Sequence, residues 1–228
     1  MNMKYKIFVL SFMIFCACAQ NEYVKNQHAE SNSNEMFNPK IYSAIFTDRR
    51  SEHKYLIQQM LKYNYEKNHK LLKVGYSKIF ELLKESNKTL TKHNYRPQLD
   101  CFSVTDSEQL EALTTVLENC CLTAEFLMHF PEISYRIFKK TPFPNWSNTL
   151  NWCIQFVNAF PHIIDDSTAK LMELLWQEIN EEFRTADFVN PYYTKPAEDV
   201  ADPIGKRTKT KKKLKKGPQL SGGSHYEL

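Results

Sequence analysis

Glycine is scarce in this chain, with five among 228 residues, and Gly217, Gly222 and Gly223 lie close to the C-terminus. A loop that cradles phosphate needs glycine so that backbone amides approach the ligand closely. No G-x-G-x-x-G, G-x-x-x-x-G-K-S/T or G-x-S-x-G occurs. Nucleotide chemistry and a hydrolase nucleophile elbow therefore find no support. C-x-x-C and H-E-x-x-H are missing as well, which removes the common redox and zinc patterns. The chain reads as a non-enzyme, with no metal or cofactor expected. No segment alternates apolar and polar residues as a half-buried strand would.

Long apolar runs are also lacking. The longest runs from Ile7 to about Ala17, after Lys4 and Lys6. A bilayer span needs roughly 20 residues, so a transmembrane anchor is not expected. The run instead fits a signal peptide over residues 1–19: a basic start, a short apolar stretch, then small residues at Ala17 and Ala19. Cleavage is expected before Gln20. At the other end, His225, Tyr226, Glu227 and Leu228 resemble the retrieval signals K-D-E-L and H-D-E-L, with Tyr226 in place of Asp. The expected location is the lumen of the endoplasmic reticulum, with secretion where Tyr226 weakens the retrieval receptor's grip.

Charge is unevenly divided. Residues 20–205 carry 20 basic and 25 acidic side chains, a net −5. Eight basic residues then crowd into an 11-residue run: Lys206, Arg207, Lys209, Lys211, Lys212, Lys213, Lys215 and Lys216. Such a run suits a nuclear signal, a nucleic-acid patch, anionic lipid headgroups or an acidic partner. The signal peptide argues against the first two, so no nucleic acid is expected and the run is read as a partner-binding tail. Four cysteines remain after cleavage: Cys101, Cys120, Cys121 and Cys153. An oxidising lumen permits disulfides among them. A bridge between the adjacent Cys120 and Cys121 would strain the backbone, and the pairing otherwise stays open.

What is present is helical periodicity. From Ile41 to Leu90 there is no proline and only Gly75. Apolar residues recur at Ile41, Ile45, Leu56, Met60 and Tyr63, then at Leu72, Tyr76, Ile79 and Leu83. Two helices are expected, joined near 64–69, with the polar stretch Thr47 to Lys54 interrupting the first stripe. A loop follows from Thr91 to Thr105. Thr105 and Glu108 have capping-box spacing at the start of the next helix. That helix carries the stripe Leu110, Leu113, Leu117, Cys120, Ala124 and Leu127. Pro131 ends it or starts the next. A further helix from Asn145 to Phe160 turns Trp146, Leu150, Cys153 and Val157 to one side. Asp166 and Ser167 are expected to cap the last helix, with Leu171, Leu174, Leu175 and Ile179 inward. The expected fold is an all-α bundle of five or six helices over residues 39–190. A disordered leader (20–38) and an extended or disordered basic tail (191–228) flank it.

Few residues outside these stripes invite chemistry. Asp165 and Asp166 resemble a metal pair but sit where a helix begins, which favours capping. His53, His69, His129 and His162 are expected at the surface or at helix ends. Trp146, Trp152 and Trp176 are read as core anchors or surface aromatics, with an aromatic groove as the alternative. Two glycosylation sequons occur, Asn87-Lys88-Thr89 and Asn145-Trp146-Ser147. Asn87 is the better candidate, because Asn145 follows a proline and precedes a bulky ring.

Taken in order, these residues resemble the animal family called coiled-coil domain-containing protein 134. The resemblance lies in Ile41-Tyr42, Phe46, Arg49-Arg50, Lys84-Glu85-Ser86 and Thr89. It continues through Val116-x-Glu118-Asn119, Phe130-Pro131, Asn145-Trp146, Trp152, Phe156 and Phe188-x-Asn190-Pro191. Lys215-Lys216-Gly217-Pro218 and Glu227-Leu228 close it. The resemblance implies a non-enzymatic adaptor of the endoplasmic reticulum. It would support biogenesis of the chaperone endoplasmin at the translocon and limit its hyperglycosylation by the oligosaccharyltransferase. The family is also described as secreted and as restraining MAP-kinase signalling. A sequon expected near Asn158 is absent here, since Ala159-Phe160 follows.

Overall fold

The computed structural model describes residues 39–97, 106–140 and 145–193, all within one compact unit. The expected signal peptide and leader, the basic run and the C-terminal tetrapeptide lie outside the described residues. The described chain is all-α, without a strand: six helices and one short 3-10 turn. In order these are α1 (Pro39–Met60), α2 (Tyr65–Lys92), α3 (Ser107–His129), α4 (Pro131–Lys140), α5 (Trp146–Asn158) and α6 (Asp166–Ile179). The turn Glu181–Phe183 follows α6.

Helix α3 is the hub, packing against α1, α2, α4, α5 and α6. Its sequence explains this role. A helix apolar on one stripe sits at a surface, and one uncharged over most of its circumference is enclosed. The stripe expected from the sequence is buried, and so are Ala112, Val116, Cys121, Leu122, Phe126 and Met128 on the other sides. Neutral polar residues such as Thr115 and Thr123 fill most of the remaining inward positions, together with two carboxylates, Glu118 and Glu125.

Local signals set the boundaries, and several expected ones shift. The first two helices are joined at 61–64, and α2 already starts at Tyr65. Asn64 caps it by accepting a hydrogen bond from the Lys67 amide at 3.0 Å. This helix runs to Lys92, slightly beyond the expected loop start. The cap of α3 is Asp106, accepting from the Glu108 amide; the expected partner Thr105 lies outside the described residues. Pro131 starts α4, where a missing N–H costs nothing. Asp165, not Asp166 or Ser167, caps α6. Its Oδ1 accepts from the Thr168 amide at 2.8 Å and its Oδ2 from Ser167 Oγ at 2.9 Å. Asp165 has the extended backbone a cap needs (ψ 165°), and Asp166 is already the first helical residue. Asn145 stands before α5 with φ 62°, a left-handed conformation that asparagine tolerates better than most residues.

Helix α1 departs furthest from expectation. Its buried face is Tyr42, Phe46, Arg49, Arg50, His53, Ile57 and Met60. The face is rotated by one position from the expected Ile41, Ile45 and Leu56. Ile41 is exposed and the other two are half-buried. The polar stretch does not interrupt the inward face; it is part of it.

The core holds one disulfide, Cys120–Cys153, joining α3 to α5 with Cα atoms 5.2 Å apart. Cys120 therefore pairs across the bundle and not with its neighbour. Cys121 is free and buried, and burial, the main cause, pushes its thiol up to about 12. It is an inert core residue at neutral pH.

Candidate functional site

Two places concentrate polar or aromatic side chains. The first is a charged cluster inside the bundle. Arg50, 2% exposed, reaches from α1 to three other groups. Its Nη2 donates to Glu125 Oε1 at 2.6 Å, its Nε to Thr168 Oγ1 at 3.1 Å, and its Nη1 meets His53 Nδ1 at 3.2 Å. On the far side, His129 Nε2 lies 3.2 Å from Glu125 Oε2. A guanidinium has only donors, so His53 Nδ1 must accept and the ring is neutral. Burial, then Arg50, lowers the His53 pKa to about 3. Burial alone would raise Glu125, but the hydrogen bonds from His129 and Arg50 and their positive charge hold its carboxyl below the usual range.

The expectation of a surface or capping role is corrected for His53, while His129 stands at the end of α3 as expected and is only half-buried. His53 is 4% exposed, and His129 pairs with Glu125 one helical turn before it. A single sequence hides this cluster, because its members come from three helices and the Arg–Glu pair is separated by 75 residues. The segment after α6 packs beside it: Asn190 Nδ2 donates to the Met128 carbonyl at 2.8 Å, and the Tyr192 ring meets His129 edge-on at 5.0 Å.

The neutral His53 has a consequence for acid stability. The unfolded imidazole takes up its proton near 6.5 and the folded one only near 3. Between those values the unfolded state holds more protons, so stability falls as pH drops through the window. The expected loss is roughly 1.4 kcal/mol per pH unit. Glu125 acts in the same sense lower down, its contribution being lost as its depressed carboxyl protonates. Urea unfolding at pH 6.5 and 4.5 should differ by about 2 kcal/mol from this group. The slope should flatten in His53→Gln, and an unchanged slope in that variant would contradict a buried neutral imidazole.

The second place is a cleft of about 640 Å³ between α2 and α5, with Phe80, Trp146 and Trp152 among its lining residues. Asn87, Asn148 and Thr149 add amide and hydroxyl groups. Trp146 is fixed from behind by Phe138, stacked at 4.7 Å, and by Tyr135 at 5.9 Å. Both tryptophans are half-buried and Asn87 is exposed. The groove alternative weighed from the sequence is thus present as geometry. Of the two sequons, Asn87 lines the cleft itself, and Asn145, also exposed, stands immediately before Trp146.

His93, Asp106 and Glu108 also approach one another where α2 ends and α3 begins. His93 Nε2 is 3.5 Å from Asp106 and 3.9 Å from Glu108. Both carboxylates are exposed, and Lys92 Nζ lies 3.7 Å from Glu108. Lys92 and the two exposed carboxylates make this a surface charge group at the helix ends.

The described residues thus form a helical bundle with a stapled core, an internal ion pair and an aromatic surface cleft. The chain belongs to the family described as "ERK and JNK pathways, inhibitor", whose model matches residues 26–221. It is similar to coiled-coil domain-containing protein 134 of Mus musculus, 25% identical over 195 residues, covering 80% of this chain and 83% of the mouse protein. It is also similar to the protein of that name from Xenopus tropicalis, 23% identical over 153 residues, 67% of this chain and 65% of the frog protein. No solved structure matches the chain. Neither name describes an enzyme family.

Proposed function

We propose that this protein is a luminal adaptor of the endoplasmic reticulum that holds nascent endoplasmin near the oligosaccharyltransferase and restrains excess glycosylation of that client. The observation that carries the reading is the kinship with coiled-coil domain-containing protein 134 along 195 residues. Two sequence features support it. The N-terminal 19 residues have the pattern of a secretory signal, and His225-Tyr226-Glu227-Leu228 has the pattern of a retrieval address. The basic run 206–216 supplies an electrostatic contact for an acidic partner. Exposed apolar residues near the α1–α2 turn, Tyr55, Leu61 and Tyr65, offer further contact area.

Crosslinked microsomes provide the test. Pull-down of the full chain should recover endoplasmin and oligosaccharyltransferase subunits, and deletion of Leu228 should move protein from the cells to the medium. An eluate lacking both partners would defeat the adaptor reading. The family description favours a second reading, an extracellular regulator of MAP-kinase signalling. That reading requires wild-type protein in the medium and fails if none is found there.

A further inference from the structure

We propose that Asn87 is a glycosylated residue and that the cleft between α2 and α5 is the seat of its own N-linked sugar. The inference rests on the luminal reading, since N-glycosylation takes place there. Phe80, Lys84 and Asn87 follow one another by four and three residues, so they share one face of α2, and all three line the cleft. Helical side chains lean toward the helix N-terminus, over the preceding turn. A sugar joined to Asn87 Nδ2 is therefore directed back over Lys84 and Phe80, along the cleft. The opposite wall presents Trp146 and Trp152.

The chemistry of the walls suits N-acetylglucosamine. Its ring has an apolar C–H face that packs on the electron-rich face of an indole. Its hydroxyl and acetamido groups need neutral donors and acceptors, which Asn148, Thr149 and Ser77 supply. Trp146 is already stacked on Phe138, so one wall is rigid before any sugar arrives. The acceptor must be modified before α2 forms, because Asn87 and Thr89 are both helical in the folded chain. Folding then brings the attached sugar against α5.

The experiment uses the full chain expressed in animal cells. Glycopeptide mass spectrometry should find Asn87 occupied. Amide exchange across residues 146–152 should slow by roughly fivefold in the glycoform relative to Asn87→Gln, the ratio one stacked ring is worth. Native release of the glycan by peptide N-glycosidase should be several-fold faster in Trp152→Ala than in wild type. An unmodified Asn87 overturns the proposal, as does a glycan that alters neither exchange nor release. A His28→Thr variant supplies a control, because it completes an acceptor sequon at Asn26. If Asn26 is glycosylated and Asn87 is not, the cleft assignment fails while the luminal reading stands. If neither is modified, both fail.

Discussion

Replacing Glu125 by Ala should destabilise the fold by about 3–5 kcal/mol, the cost of leaving a buried charge without its partner. The carboxylate is 3% exposed and receives Arg50 on one oxygen and His129 on the other. Without it, the Arg50 guanidinium keeps only Thr168 and the neutral His53 ring as polar partners among the contacts described above. Removing both charges has a different outcome. Arg50→Met with Glu125→Leu should recover most of the loss, because apolar groups of similar volume need no pairing in the interior. Urea unfolding of the two single variants and the double variant measures the coupling. A Glu125→Ala change costing under about 1 kcal/mol would show that water reaches the pair.

Cys153→Ser should cost about 4 kcal/mol, the loop-closure value for a bridge spanning 33 residues. Both cysteines of that bridge are fully buried, so the variant also places a hydroxyl in an apolar site. Wild type and variant should converge once dithiothreitol is present in the unfolding experiment, apart from that hydroxyl term. Cys121→Ala should leave the redox dependence intact, because Cys121 is free. Loss of the dithiothreitol effect in Cys121→Ala, and its persistence in Cys153→Ser, would reassign the bridge.

The fold class was legible because proline and glycine are almost absent from the helical stretches, and apolar residues recur at 3.6-residue spacing. The stripes of α2, α5 and α6 face inward as their patterns indicate; Leu72, Tyr76, Leu150, Val157 and Leu175 are all fully buried. The face of α1 was not legible, for a specific reason. Arginine and histidine count as polar in any periodicity argument, yet Arg50 and His53 turn inward to meet a carboxylate on α3. The preference for apolar partners then selected Ile41, Ile45 and Leu56, one residue away from the true face. Adjacent acids posed a smaller version of the same problem. Asp165 and Asp166 are equally good caps by type, and only the backbone decides between them. The tryptophans suggested an aromatic groove as an alternative, but its place was not legible, since it joins a face of α2 to tryptophans on α5 about 60 residues later.

The central position of α3 also orders events during synthesis. Helices α1 and α2 leave the ribosome first, yet the side chains that cover Phe46, Tyr76 and Leu83 belong largely to helices not yet made. Roughly 60 residues separate the end of α2 from Cys153, which at about 5–20 residues per second is some 3–12 s of translation. Until α3 is made, partway through that interval, the first two helices present unmatched apolar faces and the buried arginine of α1 has no carboxylate. Apolar surface exposed in this way on an incomplete chain is the kind that chaperones cover.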